Sequence, residues 1–211
     1  MASLQNQSIS ERFGLKMLVL LVGFCLWNPL AIAADSPLQV VRTGTEQVLS
    51  ILMKNPQDTQ ARREQIQAVL DRYFDFESMA RFSLGPQWRS LSPEQQQEFT
   101  REFRALLFKT YMGDIEKYAR LRMSYRTTST ADNRSVVEAL LNFQGNPVSL
   151  DYSLHLKDGQ WKVYDVAVQG MSLAVNYRNQ FGQALASGSF QALSNMMKRQ
   201  IAGLCAPNQP C

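Results

Sequence analysis

The stretch WKVYDVAVQGMSLAVNYRNQF, residues 161–181, decides how the chain is read. Its first half alternates as a β-strand does, with successive side chains on opposite faces. Trp161, Val163 and Ala167 point one way and Tyr164, Val166 and Val168 the other, with Asp165 interrupting the first set. Both faces are apolar, so the strand is expected to be covered on both sides. Gly170 ends it, since glycine takes backbone angles that other residues avoid. Met171, Val175 and Phe181 then recur at helical spacing, so strand is expected to pass directly into helix. The strand is read as the floor of an apolar space that the preceding helices roof.

Working outward, Asp158-Gly159 is a hairpin signal. Before it, Val148, Leu150, Tyr152, Leu154 and Leu156 alternate with Ser149, Asp151, Ser153 and His155. Gly145-Asn146-Pro147 separates this strand from one carrying Val137, Ala139, Leu141 and Phe143. Ala131-Asp132-Asn133 separates that one from a strand carrying Met123, Tyr125 and Thr127. The expected sheet is a four-stranded antiparallel meander, and the fold class is α+β. After Phe181 the chain is helical again, breaks at Ser187-Gly188, and ends in an amphipathic helix through Phe190, Leu193, Met197 and Ile201.

Upstream the period is helical. Leu38, Val41, Val48, Leu49 and Leu52 share one helix face, which Asn55-Pro56 ends. A second helix starts near Thr59 and buries Ile66, Val69, Leu70 and Tyr73. Asp75 caps a short third helix that stops at Gly85-Pro86. Ser92-Pro93-Glu94-Gln95 is a capping box, with serine at the N-cap, proline at the first helical position and glutamine three residues on. The helix it opens carries Phe99, Phe103, Leu106, Leu107, Tyr111, Ile115 and Tyr118, a stripe wider than the ~100° of an ordinary surface helix. Such a helix is covered on more than one side, and Gly113 is the place where it would bend or break.

The N-terminus reads as an address. Arg12 and Lys16 precede the apolar run MLVLLVGFCLW at 17–27, then Asn28-Pro29 and the small-x-small site Ala31-Ile32-Ala33. That run is too short to span a bilayer, and the pattern is that of a secretory signal peptide over residues 1–33, with cleavage leaving Ala34 first. An uncleaved N-terminal anchor is the alternative. Residues 34–211 then form one domain with a short C-terminal tail. Cys205 and Cys211 are the cysteines left after cleavage, and an oxidising compartment favours a disulfide between them over two free thiols.

Several chemistries are excluded by composition. The net charge is +4 and the basic residues are scattered, without the basic stripe and interleaved aromatics of a nucleic-acid binder. One histidine, His155, and two tail cysteines cannot assemble a transition-metal site, and no cofactor motif is present. His155 falls on the polar side of its strand and reads as a surface residue. Asp165 is the carboxylate set inside an apolar run; it reads as a hydrogen-bonded structural group, with a catalytic base as the alternative. The phenylalanines, tyrosines and methionines of the helices suit either a packed core or an adaptable apolar cavity.

Two stretches resemble a known family. Arg81-Phe82-Ser83-Leu84-Gly85-Pro86-Gln87-Trp88-Arg89, Leu91-Ser92-Pro93-Glu94-Gln95 and Phe103-Arg104 to Tyr111 are similar to the first signature of the MlaC (toluene-tolerance) proteins. Trp161 to Val166, Gly170-Met171-Ser172-Leu173 and Asn176-Tyr177-Arg178 are similar to the second. The resemblance implies a curved antiparallel sheet and several helices around a deep apolar pocket. It implies a soluble, monomeric periplasmic carrier of diacyl phospholipid, not an enzyme and without a cofactor. Its partners would be an inner-membrane ABC transporter complex and an outer-membrane lipoprotein–porin complex, and its task the upkeep of outer-membrane lipid asymmetry.

Placed on this pattern, the expected lipid contacts are Leu84 of the short helix and Phe99, Phe103, Leu106, Leu107 and Tyr111 of the capped helix. The strands add Leu141, Leu154, Val163, Val166 and Val168, and the segment after Gly170 adds Met171 and Val175. The competing function is an exported enzyme or binder acting on a small apolar molecule in a cone-shaped sheet. As an enzyme it would need a base facing the cavity, and Asp165 is the candidate.

Overall fold

Six α-helices and one antiparallel sheet make up the described part of the protein, which a computed structural model defines for residues 35–204 apart from 55, 56, 58 and 119. The expected signal peptide with its Ala33 site and the expected Cys205–Cys211 disulfide lie outside the described residues. In chain order, α1 is Pro37–Lys54, α2 Gln60–Tyr73 and α3 Phe76–Leu84, followed by a 3-10 turn at Gly85–Ser90. Then come α4 Pro93–Tyr118, β1 Met123–Ala131, β2 Arg134–Phe143, β3 Asn146–Lys157, β4 Gln160–Val168, β5 Met171–Ser172, α5 Leu173–Ser187 and α6 Phe190–Gly203.

Local chemistry sets these boundaries as expected. Thr59 and Asp75 cap α2 and α3, each accepting a hydrogen bond from a backbone N–H three residues on. The capping box is closed in both directions: Gln95 N–H donates to Ser92 Oγ at 3.3 Å and Ser92 N–H to Gln95 Oε1 at 3.0 Å. Gly113 does not break α4, which runs continuously through it. Tertiary burial of the flanking turns outweighs the roughly 1 kcal/mol that a mid-helix glycine costs relative to alanine.

The sheet has five strands in the order β1-β2-β3-β4-β5, where four were expected. The chain does not pass from strand to helix at Gly170. Gln169 and Gly170 both have positive φ, at 52° and 79°, and make a two-residue hairpin turn. Met171 and Ser172 then pair back onto Val168 and Ala167. Only after that does α5 begin.

A second correction concerns β4. Ser153 pairs with Asp165 but Leu154 pairs with Val163, which leaves Tyr164 as a bulge. The extra residue reverses the alternation, so Val163, Val166 and Val168 share one face. The strand is therefore not covered by two apolar sets; one face is apolar and the other carries Asp165. The displaced Tyr164 ring packs edge-on to Phe82, 6.2 Å between centroids, and beside His155 at 5.2 Å.

Three separate apolar cores follow from this arrangement. The largest is aromatic and joins α3, α4, α5 and α6 through Phe99, Phe103, Tyr177, Phe181, Leu193 and Met197. A second packs Val40 and Val41 of α1 on Val137, Leu154 and Val163 of the sheet. The third joins Val48 and Leu52 of α1, Ile66 of α2 and Phe108 of α4.

His155 is not a solitary surface residue. Its Nε2 lies 3.1 Å from Asp75 Oδ2, which also accepts from Lys157 Nζ at 2.9 Å and Ser78 Oγ at 2.8 Å. Asp75 thus ties the start of α3 to β3, while its own N–H donates to the Val163 carbonyl on β4 at 2.8 Å. Burial alone would raise the Asp75 carboxyl, but hydrogen bonds from Lys157 and Ser78 outweigh it and hold the group at about 2, below its ordinary 3.8. A carboxyl depressed on folding stabilises the protein above its unfolded value and loses that stability as pH falls through the folded one. Between about pH 4 and pH 2 this group is expected to give up about 2 kcal/mol. Urea melts across that range should show Asp75→Asn lacking this part of the wild-type acid loss. Parallel curves for the two proteins would mean that Asp75 is not a stabilising anchor.

Candidate functional site, an apolar cavity

The three cores do not merge. Between them lies a cavity of about 820 Å³ whose wall takes residues from each: Met79 and Leu107, Val40 and Val163, Val48 and Phe108. The bulge at Tyr164 makes the floor, because it aligns Val163, Val166 and Val168 on the cavity side. Leu150 and Tyr152 of β3 continue it, Leu150 opposite Val168 and Tyr152 opposite Val166. The roof is α1 and α2, with Val69, Leu70 and Tyr73 from the latter.

Helix α4 supplies one side, and helical geometry explains how. Residues four apart fall about 40° further round the helix at each step. The row Phe99, Phe103, Leu107, Tyr111, Ile115 therefore rotates as it climbs. Its lower end sits in the aromatic core and its upper end faces the cavity. The width of the stripe is thus two successive environments along one helix.

Of the residues expected to contact a ligand, Leu107, Tyr111, Val163, Val166, Val168, Met171 and Val175 line this cavity. Leu84, Phe99, Phe103 and Leu106 do not; they are buried in the aromatic core. Leu154 is buried in the α1–sheet core, and Leu141 lies beside a small separate depression near Arg122 and Asn142. These six are placed off the wall because apolar periodicity marks burial and does not tell core from cavity. The sequence reading expected the preceding helices to roof the space but named no wall residue of α1 or α2, such as Thr45, Leu49, Leu70 and Tyr73. The apolar stripes of both helices were visible, but nothing in a stripe states how closely its partner approaches.

The wall reaches solvent where Met171 is 71% and Val175 41% exposed, at the β4–β5 turn and the first turn of α5. It also carries Arg104, whose partly exposed guanidinium donates from Nε and Nη2 to Asp71 of α2, each at 2.6 Å. A second ion pair, Arg62 with Glu116, also joins α2 to α4. Charged groups on the wall number two among the described residues, Arg104 and Asp114. Two wall tyrosines are shifted away from ionisation: burial pushes Tyr152 up to about 12, and burial together with neighbouring Tyr177 pushes Tyr111 up as well.

Asp165 is not on the wall. It is buried on the other face of β4, where it accepts from Ser172 Oγ and from the Ala174 N–H at 3.1 Å. Ser172 in turn accepts from the Val175 N–H at 3.1 Å. The carboxylate thus fastens the start of α5 to β4, and its oxygens are used in doing so. No group of three or more His, Cys, Asp or Glu that could hold a metal occurs among the described residues.

Comparison with known proteins agrees with this geometry. The chain is 26% identical over 176 residues to a toluene tolerance protein of Pseudomonas putida, covering 80% of each chain. It is 25% identical over 153 residues to the intermembrane phospholipid transport system binding protein MlaC of Haemophilus influenzae, covering 68% of this chain and 72% of that one. Among solved structures it is similar to the phospholipid-binding protein of Ralstonia solanacearum in complex with a phospholipid. That likeness has a TM-score of 0.75 at 27% identity and covers 81% of this chain and 99% of the other. Residues 42–199 match the family described as MlaC protein, from the first helix to the last, and the chain belongs to that family.

Proposed function

We propose that this protein is a soluble periplasmic carrier of diacyl phospholipid. In this reading it is exported by a cleaved signal peptide and works as a monomer between an inner-membrane ABC transporter complex and an outer-membrane lipoprotein–porin complex, maintaining outer-membrane lipid asymmetry. The observation that carries the reading is an apolar cavity of about 820 Å³ in a fold whose solved relative holds a phospholipid. That volume lies within the usual ligand-site range of ~300–1,000 Å³.

The physics of transport favours such an enclosure. Each methylene taken out of water is worth ~0.8 kcal/mol, so one sixteen-carbon chain is worth roughly 13 kcal/mol. Unaided diffusion of lipid through an aqueous compartment is negligible at that cost. A carrier offers the chain a comparable apolar surface and needs no covalent chemistry of its own. An enzyme working in this cavity would need a base on its wall; Asp165, the candidate for that role, faces the other way, and the carboxylate that is on the wall, Asp114, is paired with Lys117.

Protein purified without detergent is expected to carry diacyl phospholipid at close to one molecule per chain. Organic extraction and mass spectrometry measure it. Recovery of a small apolar solute in its place would favour the competing reading of a binder of small apolar molecules. Gently purified protein that yields no phospholipid would overturn the carrier reading.

A further inference from the structure

We propose that Arg104 reads the phosphate of the bound lipid, at the edge of the cavity where α2 and α4 are joined. This deepens the carrier reading and rests on it. The inference starts from charge. Arg104 and Asp114 are the charged residues on the wall among the described residues, and they have opposite signs. They are ten residues apart on one helix, about 15 Å along its axis. A single phosphate therefore meets one or the other. Asp114 would repel it, and the nearby Lys117, at 2.9 Å, is already engaged with that carboxylate. The anion belongs at Arg104.

The local geometry suits that task. Asp71 takes the Nε–H and one Nη2–H, which fixes the plane of the guanidinium and leaves three of its five N–H donors for another acceptor. The Phe76 ring, which also lines the cavity, lies 5.8 Å from the guanidinium carbon. The Arg104 side chain is 32% exposed, so a phosphate held there stays in contact with water while acyl chains enter the apolar space beside Leu107 and Phe108. A planar fork held by a carboxylate is the arrangement best matched to phosphate oxygens, and lysine in its place would act only as a point charge.

The competing account is that Arg104 and Asp71 are only a clasp between two helices. Two lipids with the same acyl chains separate these accounts: palmitoyl-oleoyl phosphatidylglycerol, and palmitoyl-oleoyl glycerol, which lacks the phosphate. Retention of each by the delipidated protein is measured for wild type, Arg104→Gln and Asp71→Asn, with thermal melts of each lipid-free protein alongside. Loss of a charge-assisted contact is expected to lower the phospholipid-to-diacylglycerol ratio of Arg104→Gln by about tenfold. Asp71→Asn, which leaves the guanidinium in place, should hold or raise that ratio.

If the pair is only a clasp, both variants lower the lipid-free melting temperature and reduce retention of both lipids alike. An unchanged ratio in Arg104→Gln overturns the inference. Should that variant fail to fold, the salt dependence of the wild-type ratio decides: it falls with added salt if a cation reads the phosphate and stays flat if none does. Retention of neither lipid by wild type would overturn the carrier reading itself, and is a different result from either of these.

Discussion

Phe103→Ala is expected to cost about 3–5 kcal/mol of stability in the lipid-free protein while leaving lipid retention intact in whatever fraction folds. Phe103 has no solvent exposure and sits at the centre of the aromatic core. Its ring stacks on Phe99 at 5.7 Å and meets Tyr177 and Phe181 edge-on at 5.2 and 5.6 Å. Removing it leaves a void that three rigid neighbours cannot fill, so the cavity term adds to the lost burial. Denaturant melts must use delipidated protein, because a bound ligand raises apparent stability by mass action. A variant as stable as wild type yet unable to hold lipid would return Phe103 to the cavity wall, where the sequence reading had put it.

Val166→Trp should do the reverse. Val166 projects from the middle of β4 onto the cavity floor, opposite Tyr152. An aromatic residue suits a strand, and here its ring has open space to enter, so the lipid-free protein is expected to lose little stability. The ring takes volume that an acyl chain would fill. Excluding two to four methylenes at ~0.8 kcal/mol each weakens retention roughly 15- to 200-fold. Were the space a close-packed core, the same substitution would overpack it and cost about 1–3 kcal/mol or more. Lipid quantification and lipid-free melts on the same sample distinguish these outcomes. Marked destabilisation with normal lipid content would mean that Val166 is core and that the cavity does not serve the lipid.

Taken together the two variants separate stability from binding along elements that the sequence treats alike. Phe103 and Leu107 belong to one helical stripe, yet of the two only Leu107 reaches the cavity. Leu107 shows the boundary most clearly: it is buried with the aromatic core and also touches the cavity. An apolar side chain is favoured in either place for the same reason, removal of its surface from water. Composition and period therefore record that a residue is covered, and are silent on whether a neighbour or a ligand covers it.

What the sequence determined by itself is everything that depends on neighbours a few positions away. The capping box at Ser92 and Gln95, the cap at Asp75 and the hairpin at Asp158-Gly159 follow from local hydrogen bonding and backbone preference, and all form as expected. So does the α+β order of helices, meander and helices. The two signature stretches, read in order, were enough to point to the family. Tertiary structure alone decided the rest. The bulge at Tyr164 depends on the register of β4 against β3, and it turns an apparently two-sided strand into a one-sided floor. The fifth strand depends on Met171 and Ser172 finding a partner in β4. The cavity depends on three cores stopping short of one another, a matter of distances between elements far apart in the chain. Periodicity is a property of one element, whereas an empty volume is a property of all the elements around it.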